Sequence, residues 1–131
     1  MLVANLTARF NDNAFSYYPK LGAVADYVRV HIRDGLTLKS AAGVAGYERK
    51  YFSAFFHSKV GITWTEWLRL LRVKRAMDRM REREDSIPRI AFGVGFRDVR
   101  TFERAFKRYV GVPPMIYRAS VRPGRVDRDH D

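Results

Sequence analysis

The chain has 131 residues, 47% hydrophobic and 30% charged with only 9 Gly and 5 Pro, which excludes the disordered and low-complexity classes and allows a buried core. Its 25 Lys and Arg against 14 Asp and Glu give a formal charge of +11, which favours a polyanionic partner. Cysteine is absent, excluding disulfides, thiolate catalysis and cysteine-ligated zinc, and no apolar run approaches the ~20 residues of a membrane span.

Residues 1–19 read as an N-terminal extension, partly disordered and without the basic start of a signal peptide, so the expected location is the cytoplasm, with the nucleoid. From there Leu21, Val24, Ala25, Val28 and Ile32 recur at helical spacing, and Gly35 is the expected stop. Next comes a diverged repeat. LKSAAGVAGYERKYFSAFFHSKVGI, starting at Leu38, aligns with IPRIAFGVGFRDVRTFERAFKRYVGV, starting at Ile87. Leu38, Ala42, Gly46 and Tyr47 meet Ile87, Ala91, Gly95 and Phe96 at an offset of 49, and Phe52, Phe56, Gly61 and Ile62 meet Phe102, Phe106, Gly111 and Val112 after one inserted residue.

Each copy predicts a short helix, a glycine turn with an aromatic plug, and a second helix that buries Phe at i, i+4. That is the grammar of a helix-turn-helix unit. The second helix of such a unit enters the major groove. Its outward positions here are Arg49, Lys50, Ser53, Ala54 and His57 in the first copy, and Arg97, Arg100, Glu103, Arg104 and Lys107 in the second. A single basic helix is usually just a solvated face. Here the excess falls in both copies, with 4 basic and 1 acidic residues in 35–62 and 7 and 2 in 86–118.

Between the copies Trp64, Trp67, Leu68, Leu71, Ala76, Met77 and Met80 form the stripe of a long connecting helix, so both tryptophans are expected in the core rather than stacked on bases. The organisation expected is all-α with about seven helices: a helix-turn-helix subdomain over 20–62, a connecting helix over 63–81, a second such subdomain over 82–118, and a disordered tail over 119–131. His31, His57 and His130 lie too far apart for a metal site, and no catalytic motif is present; Gly93-x-Gly95 lacks the preceding strand of a nucleotide loop. Neither an enzyme, a cofactor nor a metal is expected.

The stretch Ser86 to Arg118, with its Ile-Ala, Gly-Phe, Phe-x-x-x-Phe-Lys and Gly-x-x-Pro-x-x-Tyr-Arg elements, resembles the AraC/XylS family of bacterial transcriptional regulators, and the likeness extends over roughly residues 20–118. It implies two helix-turn-helix units on a long helix, base-edge contacts from Lys50, Ser53, Ala54, Arg100, Glu103 and Arg104, and phosphate contacts from His57 and Lys107. The first copy departs from the family pattern at Ala41, where a larger aliphatic residue is usual, and at Ala54, where arginine is common. The partners implied are double-stranded DNA and RNA polymerase, with no membrane. Residues 1–19 are too few for a sensor, so the chain is expected to act as a stand-alone monomer, or as the end of a longer regulator in which dimers form elsewhere. A recombinase or transposase DNA-binding domain and a basic helical protein-interaction module are the alternatives.

Overall fold

The computed structural model describes residues 6–122. Among them lie eight α-helices, one more than expected, with a short 3-10 helix at Leu6–Arg9 and no strand. The chain divides into two compact units whose boundary falls within one long helix, between Arg69 and Leu70.

The first unit begins with α1, Ala14–Tyr17, and α2, Pro19–Val30. Pro19 opens α2 where a missing N–H costs nothing. Leu21, Val24 and Val28 are buried, as is Ile32 just beyond the helix, whereas Ala25 is only half-buried. The helix stops at Val30, with His31 as its cap and the His31 ring nitrogen 3.0 Å from the Asp34 carboxylate, so Gly35 is not the stop the pattern suggested. The segment before α2 is part of the fold: Leu6 and Ala14 are buried, and the Asn11 amide donates to the Val60 carbonyl at 2.8 Å.

α3, Leu38–Ala45, starts with a reciprocal cap in which Thr37 Oγ1 accepts from the Ser40 amide and Ser40 Oγ accepts from the Thr37 amide. It ends where Gly46 takes a φ of 75°, a left-handed conformation that side chains resist, and the chain turns into α4, Arg49–Val60. Tyr47 does not plug the core as Phe96 does; it is half-buried, and its ring is covered by Lys20 at 4.2 Å. The core of this unit is aromatic. Phe56 lies 5.9 Å from Trp64 and 5.5 Å from Trp67, and Phe15 stacks on Trp67 at 4.9 Å. Both tryptophans are buried anchors at the start of α5, Trp64–Glu82.

The later part of α5 belongs to the second unit, where Leu70, Val73, Ala76, Met77 and Met80 are buried while the expected Leu71 is only half-buried. α6, Ile87–Gly93, is capped by Ser86 and buries Ile90 and Ala91; α7, Val99–Val110, is capped by Asp98 and buries Phe102 and Phe106. The caps obey the repeat: Thr37 and Ser86 are 49 residues apart, Glu48 and Asp98 are 50 apart, as the single insertion in the second turn requires. α8, Pro114–Val121, runs past the expected boundary at residue 118. The remainder of the expected tail, 123–131, and residues 1–5 of the expected extension lie outside the described residues.

α8 explains the Tyr-Arg element of the sequence. The Tyr117 ring packs on Phe106 at 5.6 Å, and its hydroxyl accepts from Arg81 at 2.7 Å. The buried Arg118 donates to the Asp85 carbonyl, and Arg122 donates to the Arg83 carbonyl at 2.8 Å. These bonds tie α8 and its cap Arg122 to the end of α5 and to the loop that leads into α6.

Candidate nucleic-acid interface

Helix α7 buries Phe102, Phe106 and Val110 at four-residue steps, which turns Arg100, Glu103, Arg104 and Lys107 outward along one face. In α4 the same frame buries Phe52, Phe56 and Val60 and turns out Lys50, Ser53, Ala54 and His57. All eight are exposed, as are Arg49, the first residue of α4, and Arg97. Arg97 requires a correction. Asp98 caps α7, so Arg97 lies in the preceding turn and not on the second helix of its unit.

Glycine-ended turns set this geometry in both units. After Gly46 the Glu48 carboxylate accepts from the Tyr51 amide at 3.1 Å, and after Gly95, φ 109°, the Asp98 carboxylate accepts from the Thr101 amide at 2.7 Å and from its hydroxyl at 3.0 Å. The two Thr101 bonds hold the Asp98 carboxyl below the usual carboxylate range, and the Arg104 charge adds to the effect. Each cap fixes where its helix starts and therefore which side chains face outward.

Among the described residues none of the ten forms an ion pair. Glu103 in particular does not hold Arg100 or Lys107. The second unit thus presents Arg100, Arg104 and Lys107 with one carboxylate between them, whereas the first presents Lys50 and His57 around a hydroxyl and a methyl. The structure also exposes a residue that the sequence reading passed over: Tyr51, at the start of α4 beside Lys50, is 55% exposed. In an aromatic-rich helix it reads as core, and only the frame set by Phe52 and Phe56 turns it outward.

A family profile described as a helix-turn-helix domain matches residues 36–120, both units included. The raffinose operon transcriptional regulatory protein RafR of Pediococcus pentosaceus is 30% identical over 95 residues, which is 72% of this chain and 34% of RafR. The chain spans little more than a third of the length of such curated relatives. The crystal structure of the DNA-binding domain of AdpA, a global transcriptional factor solved in complex with a target DNA, matches with a TM-score of 0.74 and 27% identity over 79% of this chain and 94% of that one. An AraC-type regulator from Chromobacterium violaceum shares the fold with a TM-score of 0.76 and 21% identity over 82% of this chain and 96% of that one. The chain belongs to this helix-turn-helix family, in its AraC/XylS type.

Proposed function

We propose that this chain regulates transcription by sequence-specific binding to double-stranded DNA, with α4 and α7 each entering the major groove at two adjacent segments of one site. The observation that carries the reading is the duplicated frame: two capped helices, each turning the residues at i, i+3, i+4 and i+7 outward with an excess of positive charge. The AdpA domain, solved on its target DNA, supports it by likeness. Base edges are read by Lys50, Ser53 and Ala54 in the first unit and by Arg100, Glu103 and Arg104 in the second. Arg49, His57, Arg97 and Lys107 meet phosphate. The chain acts by binding rather than by catalysis, as a monomer on its site, in the cytoplasm and beside RNA polymerase.

Selection of bound duplexes from a random library, followed by titration of the winning site over a range of salt, tests the proposal. Each neutralised phosphate contributes about −0.9 to the slope of log K against log salt, so binding weakens steeply as salt rises. A flat slope, or no enriched sequence, overturns it and turns attention to a protein partner.

A further inference from the structure

Beside the outward face of α4 the first unit carries a surface of aromatic rings and lysines. Tyr47, Tyr51 and Phe55 form a triangle of ring contacts at 4.8, 5.3 and 6.3 Å, and Tyr18, from the start of α2, adds an edge contact to Phe55 at 5.7 Å. Tyr17 extends the cluster against Tyr18 at 4.8 Å and is 76% exposed. Lys20 lies over Tyr47 at 4.2 Å and Lys59 over Tyr18 at 5.3 Å. Rings of this size are normally buried. Here Tyr17 and Tyr51 are exposed and Tyr18, Tyr47 and Phe55 are half-buried, and the rings hold two ammonium groups in place by cation–π attraction.

We infer that this surface is a second DNA contact of the first unit, gripping the sugar–phosphate backbone next to the groove that α4 enters. The inference rests on the DNA-binding reading above. The cluster is continuous with the proposed reading face, because Tyr51 follows Lys50 on α4 and, like Lys50 and Ala54, is exposed. Its chemistry suits phosphate: phenolic hydroxyls donate, and the lysines supply charge that the rings orient. The adjoining acid, Glu48, already accepts from the Tyr51 amide at the helix cap. The second unit has no counterpart, since the repeat offset of 50 puts Thr101 opposite Tyr51 and the buried Ala105 opposite Phe55. The unit with the poorer set of base-reading side chains therefore has the larger means of holding the backbone.

The test uses the full chain on its selected duplex. Tyr51→Phe and Tyr17→Phe keep the rings and remove the hydroxyls, and each weakens binding roughly fivefold, by the same factor on every single-base variant of the site. Lys20→Ala with Lys59→Ala lowers the salt slope by about 1.8, two phosphates at about 0.9 each. Arg29→Ala, an exposed residue of the same unit paired with Asp26, serves as the charge control and leaves the slope unchanged. Thermal melting of each variant confirms that it folds. A base-selective loss at Tyr51, an equal slope change in the Arg29 control, or unaltered DNA binding in the phenylalanine and lysine variants overturns the inference; the last outcome assigns the surface to a protein partner. Failure of the wild-type chain to bind any duplex overturns the underlying reading instead.

Discussion

The Asp98 carboxylate fixes the start of α7 and lies in the field of Arg104, so one exposed group links the stability of the helix to its reading face. Its folded pKa is lowered, so its stabilising contribution is present above the ordinary value of 3.8 and is lost as pH falls through the lower folded value. Asp98→Ala should therefore melt a few degrees below wild type at neutral pH, and the gap should narrow on acidification below 3.8; Asp98→Asn, which keeps an acceptor without the charge, should recover only the part of the difference that survives in acid. A gap undiminished in acid means the carboxylate charge is irrelevant. Among the reading residues the two units differ more sharply. Arginine can bond both acceptors of guanine and glutamate can accept from cytosine, with about 1–3 kcal/mol of discrimination for a good bidentate contact, whereas Ala54 offers only a methyl. Arg100→Ala and Arg104→Ala should each relax preference at particular base pairs of the selected site, while Lys50→Ala weakens all variants more evenly. Equal losses on every variant for both arginine substitutions would reassign them to phosphate. The unpaired state of Glu103 leaves these arginines available.

At the scale of elements, two glycines that look alike in the sequence should respond oppositely to alanine. Gly43 sits within α3, exposed, and a Cβ there would meet nothing within 4 Å, so Gly43→Ala should stabilise by about 0.5–1 kcal/mol through reduced freedom of the unfolded chain. Gly111 ends α7 at φ 97°, and although a Cβ has space there, Gly111→Ala should cost about 1–2 kcal/mol in backbone strain. Denaturant titration of the two variants measures both signs, and a stabilised Gly111→Ala would show that the turn relaxes. Gly111 was legible as a helix stop because the repeat aligns it with Gly61, and the same alignment set the frame of α4 and α7. Other elements escaped the sequence. α1 spans four residues, too few for a period to register, and it owes its place to Phe15 stacking on Trp67. Tyr117 and Arg118 were visible as a motif, but their partners Arg81 and Asp85 lie 36 and 33 residues away and only the folded chain brings them together. Likewise the half-burial of Tyr47 depends on Lys20 of α2, which no local pattern announces.

For the whole molecule, the repeat has a consequence that follows from its divergence. A dimer of one helix-turn-helix unit presents two copies of the same reading face and so requires a palindromic site. Under the proposal this chain carries two reading faces of its own, on α4 and α7, and the side chains exposed there are chemically different: Lys50, Ser53 and Ala54 against Arg100, Glu103 and Arg104. The selected site should accordingly be asymmetric, with a sharply preferred half where α7 reads and a tolerant half where α4 reads, and one chain should occupy it. Mass measurement of the complex gives the stoichiometry, and reversing the order of the two halves in the duplex should lower affinity because the joined units then meet the wrong bases. Exchanging the α4 residues for their α7 counterparts, as Lys50→Arg, Ser53→Glu and Ala54→Arg together, should make the bases preferred in the two halves alike, since the caps and the buried Phe, Phe and Val positions of the two helices match. A strict requirement for two chains on an inverted repeat would sink the single-chain account, and an unchanged site after the triple exchange would show that α4 contributes no base reading at all.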